Sequence, residues 1–114
     1  MVGPRFKRNI PFVKLLLKEK DEKNRQQMIK NAGTDEIFAL MDAAYNILNF
    51  KFPLTPKQRR KLAGFAKSLR HLAKKKTADQ GRRIIQKGRG PLIAALLVPV
   101  VAEVARHIIS RITS

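Results

Sequence analysis

Between Lys51 and Arg89 the chain carries fourteen Lys and Arg and a single acid, Asp79. Side chains of that type at that density suit one chemistry above others, the binding of phosphate. Each cation that neutralises a phosphate releases condensed counterions, so affinity grows with the number presented together. The candidate contacts are Lys57, Arg59, Arg60, Lys67, Arg70, Lys74, Lys75, Lys76, Arg82, Arg83, Lys87 and Arg89. The bland alternative is a solvated helix face. Such faces usually interleave acids with the bases, and here the acids are missing.

Other chemistries find little support. His71 lies among bases and His107 is far along the chain, with no nucleophile and acid spaced to form a triad. Asp35, Glu36 and Asp42 read more simply as helix-start and surface charges. The glycines of "QKGRGP" do not make a phosphate loop, because no Lys-Ser/Thr follows them and no strand precedes them. Cysteine is absent, which removes disulfides and thiolate metal sites. No catalytic residue, metal ligand or cofactor is expected. Zinc-finger spacing and interleaved RNA-binding aromatics are also missing, so the expected readout is of phosphate backbone, with little of base edges.

At 114 residues and a formal net charge of +17, the chain has the length of one domain and the charge of a polyanion's partner. The field is uneven. Six of the eight acids fall between Glu19 and Asp42, so the N-terminal half is nearly balanced and the second half carries the excess. The N-terminus "MVGPRFKRNIPFVKLLLKEK" lacks the h-region of a signal peptide, since Lys14 and Lys18 interrupt it.

The elements that position these groups read as helices throughout. A first helix is expected over Pro11 to Lys20, burying Phe12, Val13, Leu16 and Leu17. Asp21 caps a polar second helix that stops near Gly33. Thr34 caps the core helix "TDEIFALMDAAYNILNF", whose Ile37, Leu40, Met41, Ala44, Tyr45 and Leu48 recur at helical spacing. After Phe52-Pro53, Thr55 caps and Pro56 opens a helix running to about Lys75. In it Leu62, Phe65, Leu69 and Leu72 form one stripe and Arg59, Arg60, Lys67, Arg70 and Lys74 the opposite face. Gly64 there suggests a close helix contact. Helices over 34–50 and 56–75 could be forced into a helix-turn-helix, but the Pro-containing link argues against it. Thr77 caps a short helix, and Gly88, Arg89 and Gly90 form a joint.

Beyond the joint the character changes abruptly. Gly90 to Ala102 holds only Gly, Pro, Ala, Val, Leu and Ile. A helix there is apolar all round, which demands burial in protein or lipid. Its second half carries a stripe of Val104, Ala105, Ile108, Ile109 and Ile112, with Glu103, Arg106 and Ser110 facing away. The uncharged stretch is about 18 Å long, short of a bilayer crossing. Pro99 should kink it. The tail contacts are expected from Leu92, Ile93, Leu96, Leu97, Val100, Val104 and Ile108. They would serve as a strut on the bundle, a self-association surface or a membrane-active segment.

The succession "NAGTDEIFALMDAAYNILN", "LTPKQRRKL", "LRHLAKKKT", "RRIIQKGRGPLIAALLVPVV" resembles a small basic virion or core-type protein of Polinton (Maverick) elements and adintoviruses, over residues 10–102. The "IIQKG" joint before an apolar tail is also similar to the precursor of the adenovirus core protein X. The resemblance implies a minor virion component that accompanies packaged double-stranded DNA, located in the virion or host nucleus. It implies DNA contacts from the bases of 57–76 with Arg82, Arg83, Lys87 and Arg89. It further implies a processing joint at Gly88, Arg89 and Gly90. The pattern departs there, because Arg89 separates the glycines and Gln86 stands where Met, Ile or Leu is expected. This chain is also less arginine-dominated and carries an amphipathic core.

The expectation is therefore an all-α bundle of four or five helices. Its segments are a basic bundle over 1–76, a basic linker over 77–90 and an apolar, Pro-kinked helix over 91–114. The expected function is sequence-independent nucleic-acid binding, with capsid protein or a second copy meeting residues 91–112. The alternative is a membrane-active protein, and a ribosomal or chromatin protein is the third reading.

Overall fold

Short polar side chains set where the helices begin. The structure, a computed structural model, describes residues 3–50 and 54–113, the side chains of Phe50 and of residues 106–113 excepted. The Asp21 carboxylate accepts from the N–H of Lys23 at 2.8 Å and of Asn24 at 3.4 Å, opening α3 (Glu22–Asn31). Thr55 and Gln58 make a reciprocal capping box at the start of α5 (Pro56–Gly64), with bonds of 3.1 and 3.0 Å. The Thr77 hydroxyl accepts from the Gln80 N–H at the start of α7 (Ala78–Thr113). Each satisfies donors that the first helical turn leaves orphaned.

The remaining helices are α1 (Pro4–Arg8), α2 (Ile10–Lys18), α4 (Thr34–Phe50) and α6 (Ala66–Lys74), and no strand occurs among the described residues. The expected all-α bundle is what forms, in seven segments among the described residues where four or five were expected. One extra segment is α1, whose Phe6 is fully buried although its neighbours in "PRFKR" are charged. Another comes from a break at Phe65 (φ −113°, ψ 15°), which divides the expected helix of 56–75 into α5 and α6. Gly64 precedes that break and makes no close contact; a Cβ there would meet nothing within 4 Å. Thr34 is the first helical residue of α4 and not its cap, and Glu36 reaches back to accept from the Gly33 N–H at 2.7 Å.

α4 lies at the centre, against α1, α6 and α7, while α7 also lies along α2, α3 and α5. Ile37, Leu40, Met41 and Ala44 are buried as expected, but Tyr45 and Leu48 stand 50% and 40% exposed. The buried side of the second half of α4 is Ala43, Ala44 and Ile47. Gly81 permits the close crossing of α4 and α7, since a Cβ would lie 2.5 Å from Met41 Sδ. The radius of gyration is 13.4 Å, against about 13 Å for a compact domain of this length.

The apolar tail belongs to this core. Leu92, Ile93, Leu96, Leu97, Val100 and Val104 are all at most 7% exposed. They share one cluster with Phe6, Leu16, Ile29, Leu40, Leu69 and Leu72. Of the three uses expected for this segment, packing on the bundle is the one these side chains show; meeting capsid, lipid or another copy through them would require them to leave the core. Ala105 is exposed, and the side chain of Ile108 lies outside the described residues. Pro91 sits at the start of this limb, where a missing N–H costs little, and the dihedrals stay helical through Pro99. The abrupt break falls at Arg89, whose φ of 57° and ψ of −156° are a glycine conformation. A non-glycine residue held there costs on the order of 1–3 kcal/mol.

Arg82 is a structural residue. Its Nη1 donates to the carbonyl oxygens of Ile29 (2.8 Å), Lys30 (3.3 Å) and Ala32 (2.8 Å), the last acceptors of α3. It thereby ties α3 to α7 across about fifty residues of sequence. Charge-assisted bonds of this kind are worth about 1.5–3 kcal/mol. Arg82→Ala is expected to lower stability by about 2 kcal/mol in denaturant titration, whereas Arg83→Ala, one residue on, should leave the midpoint unchanged.

Candidate nucleic-acid interface

The cationic groups singled out in the sequence are displayed from three elements. On α5, Leu62 is buried and Lys57, Arg59, Arg60 and Lys61 are exposed. On α6, Leu69 and Leu72 turn inward, leaving Lys67, Arg70, His71 and Lys74 outward. Those four follow the i, i+3, i+4, i+7 pattern, so they share one face over about 10 Å of axis. Lys75 and Lys76 continue from its end, both exposed. A duplex presents one negative charge per about 1.7 Å of its axis, so a face of that length spans several phosphates. The break at Phe65 divides the expected face between two helices, α5 and α6.

The acids are occupied elsewhere. Arg5 and Arg8 pair with Asp35 at 3.4 and 2.9 Å, and Arg5 reaches Asp42 at 3.5 Å while its guanidinium lies over the Phe38 ring. Hydrogen bonds from Arg8 and then Asn9 hold the Asp35 carboxyl below its ordinary range, whereas burial raises that of Asp42. Arg25 pairs with Glu22 at 2.6 Å, and its guanidinium also bonds the Glu19 carbonyl. Glu22 also accepts from Gln26, which leads in lowering its pKa, and from the Gly90 N–H. Asp35 and Asp42 thus fasten α1 to α4, a role beyond the surface charges read from sequence. Among the described residues no ion pair reaches a Lys or Arg of α5 or α6.

No family model, curated protein or solved structure matches this chain.

The remaining expected contacts divide. Arg82 is withdrawn from the set, because its side chain is only 19% exposed and serves the end of α3. Arg83, Lys87 and Arg89 are exposed and line one open groove with Ile84 and Gln86. The joint of Gly88, Arg89 and Gly90 has packing reasons for its glycines. A Cβ on Gly88 would overlap Leu92, and one on Gly90 would meet Arg25 and Glu22. Gly90 is buried, so a protease could reach the joint only after local unfolding. Phe6 and Arg82 are the structural residues that sequence reasoning missed. Phe6 carried no periodic signal, being flanked by bases, and a cap fifty residues distant leaves no local pattern.

Proposed function

We propose that this chain is a sequence-independent nucleic-acid-binding protein, a minor core component that condenses or anchors packaged double-stranded DNA of a virus-like element. The observation that carries the reading is the unneutralised surface of 57–76. Nine Lys and Arg there are exposed, and no acid lies in that stretch. In the N-terminal half, by contrast, Arg5, Arg8 and Arg25 are paired with acids. Exposed charges without internal partners retain their counterions until a polyanion displaces them. The resemblance to the Polinton and adintovirus core-type proteins supports the DNA-packaging part of the reading and a place in the virion or host nucleus.

The membrane-active alternative rests on a separate observation. Within Ala78–Ala105 there is an 18-residue window of mean hydropathy 1.5, long and apolar enough to cross a membrane, although half of it is buried. Along the outer side of that limb Ala94, Val98 and Ala102 are exposed, beside Lys61 of α5. Titration of the full chain with random-sequence duplex DNA at several salt concentrations, alongside dye-loaded anionic vesicles, separates the two. Tight binding with a steep salt slope and intact vesicles is the expected result. Weak, salt-insensitive DNA binding with dye release would overturn it.

A further inference from the structure

Arg89 holds a conformation that glycine would adopt more easily, yet it stands between two glycines that do not adopt it. The geometry offers a reason. In an unbroken helix Arg83 and Lys87 lie about 40° apart around the axis, while Arg89 would point about 160° away from Lys87. The break at Arg89 removes that constraint, and the three cations line the same open groove. Ile84 and Gln86 complete its wall. The first limb of α7 supplies two of the cations from a rigid scaffold, and the strained residue supplies the third.

We propose that Arg83, Lys87 and Arg89 form a clamp for a nucleic-acid phosphate, and that the strained backbone of Arg89 is what closes it. The clamp rests on the nucleic-acid reading above and specifies where one phosphate is fixed. Three cations lining one groove can hold a phosphodiester at a defined place, whereas the outward cations of α5 and α6 attract the duplex without fixing it. Asp79 does not neutralise the groove, because its carboxylate is turned to Arg82 at 3.9 Å.

The arrangement separates folding from binding at one residue. Arg89→Gly relieves the strain and removes the cation. Its melting temperature is expected to rise by about 4 °C, while its duplex affinity falls about tenfold at 0.1 M salt and the salt slope shrinks by about 0.9. Lys7→Gln removes one exposed charge from α1 and is expected to change the slope little. In parallel, inorganic tripolyphosphate is titrated into the wild-type protein and followed by 1H–15N shifts, expected to concentrate at Arg83, Lys87 and Arg89.

An Arg89→Gly protein that binds duplex like Lys7→Gln, or that melts below wild type, overturns the clamp and leaves the nucleic-acid reading standing. Wild-type protein that ignores duplex while tripolyphosphate still shifts those three residues overturns the nucleic-acid reading and keeps an anion clamp. If phosphatidylglycerol vesicles respond to Arg89→Gly and duplex does not, the headgroup phosphate is the ligand and the proposal as stated fails. Tripolyphosphate shifts spread evenly over the basic surface also overturn it.

Discussion

Truncation after Arg89 is expected to leave a chain that does not fold. The deleted residues include Leu92, Ile93, Leu96, Leu97, Val100 and Val104, all buried against the other helices. Burying one such side chain contributes about 1.5–3 kcal/mol, so six together, about 9–18 kcal/mol, are as large as the 5–15 kcal/mol or so by which a whole domain is stable. The loss is compounded because α2, α3, α4, α5 and α6 all pack on α7, and the fragment keeps only its first limb. Circular dichroism should show no cooperative melt, and proton spectra should lose dispersion. A cooperative transition in the 1–89 fragment would mean that the tail is an appendage and that the core closes without it. The same reasoning covers a nick in the chain: a cut at the Gly88–Gly90 joint would leave the two pieces held by packing alone.

Charge reversal on α6 is expected to abolish most duplex binding without disturbing the fold. Lys67→Glu, Arg70→Glu and Lys74→Glu act on exposed side chains that take part in no ion pair among the described residues. Their removal therefore breaks no ion pair among the described residues, and surface changes of that kind shift stability by about 0.5 kcal/mol or less each. Losing three phosphate contacts should lower the salt slope by about 2.7 and the affinity by a hundredfold or more at 0.1 M salt. Fluorescence anisotropy on several unrelated duplexes checks this. An equal loss on every sequence supports backbone contact, and a loss confined to one sequence would indicate base readout and contradict it.

The helix starts illustrate what short-range chemistry makes legible. Asp21, Thr55 and Thr77 cap where the sequence indicated, because a cap involves residues two or three apart; the return bond from Gln58 was not among the expectations. Of the stripe Leu62, Phe65, Leu69 and Leu72, the three leucines are buried as their spacing indicated and Phe65, at the break, is half-buried, because helical periodicity is likewise local. Tyr45 and Leu48 show the limit: they keep the period of the α4 stripe, yet stand half-exposed.

Composition and spacing thus determined the all-α class, the main helix starts and the crowding of bases into the second half of the chain. Those properties follow from charge and from contacts a few residues apart. Tertiary structure decided the rest. It turned the apolar tail into the molecule's own core, because α2, α3, α4, α5 and α6 pack against α7. It split the basic helix at Phe65, took Arg82 from the surface to close the end of α3, and brought Arg89 into a groove with Arg83 and Lys87. Each of these depends on packing between segments distant in sequence or on one backbone turn, and neither leaves a period to read.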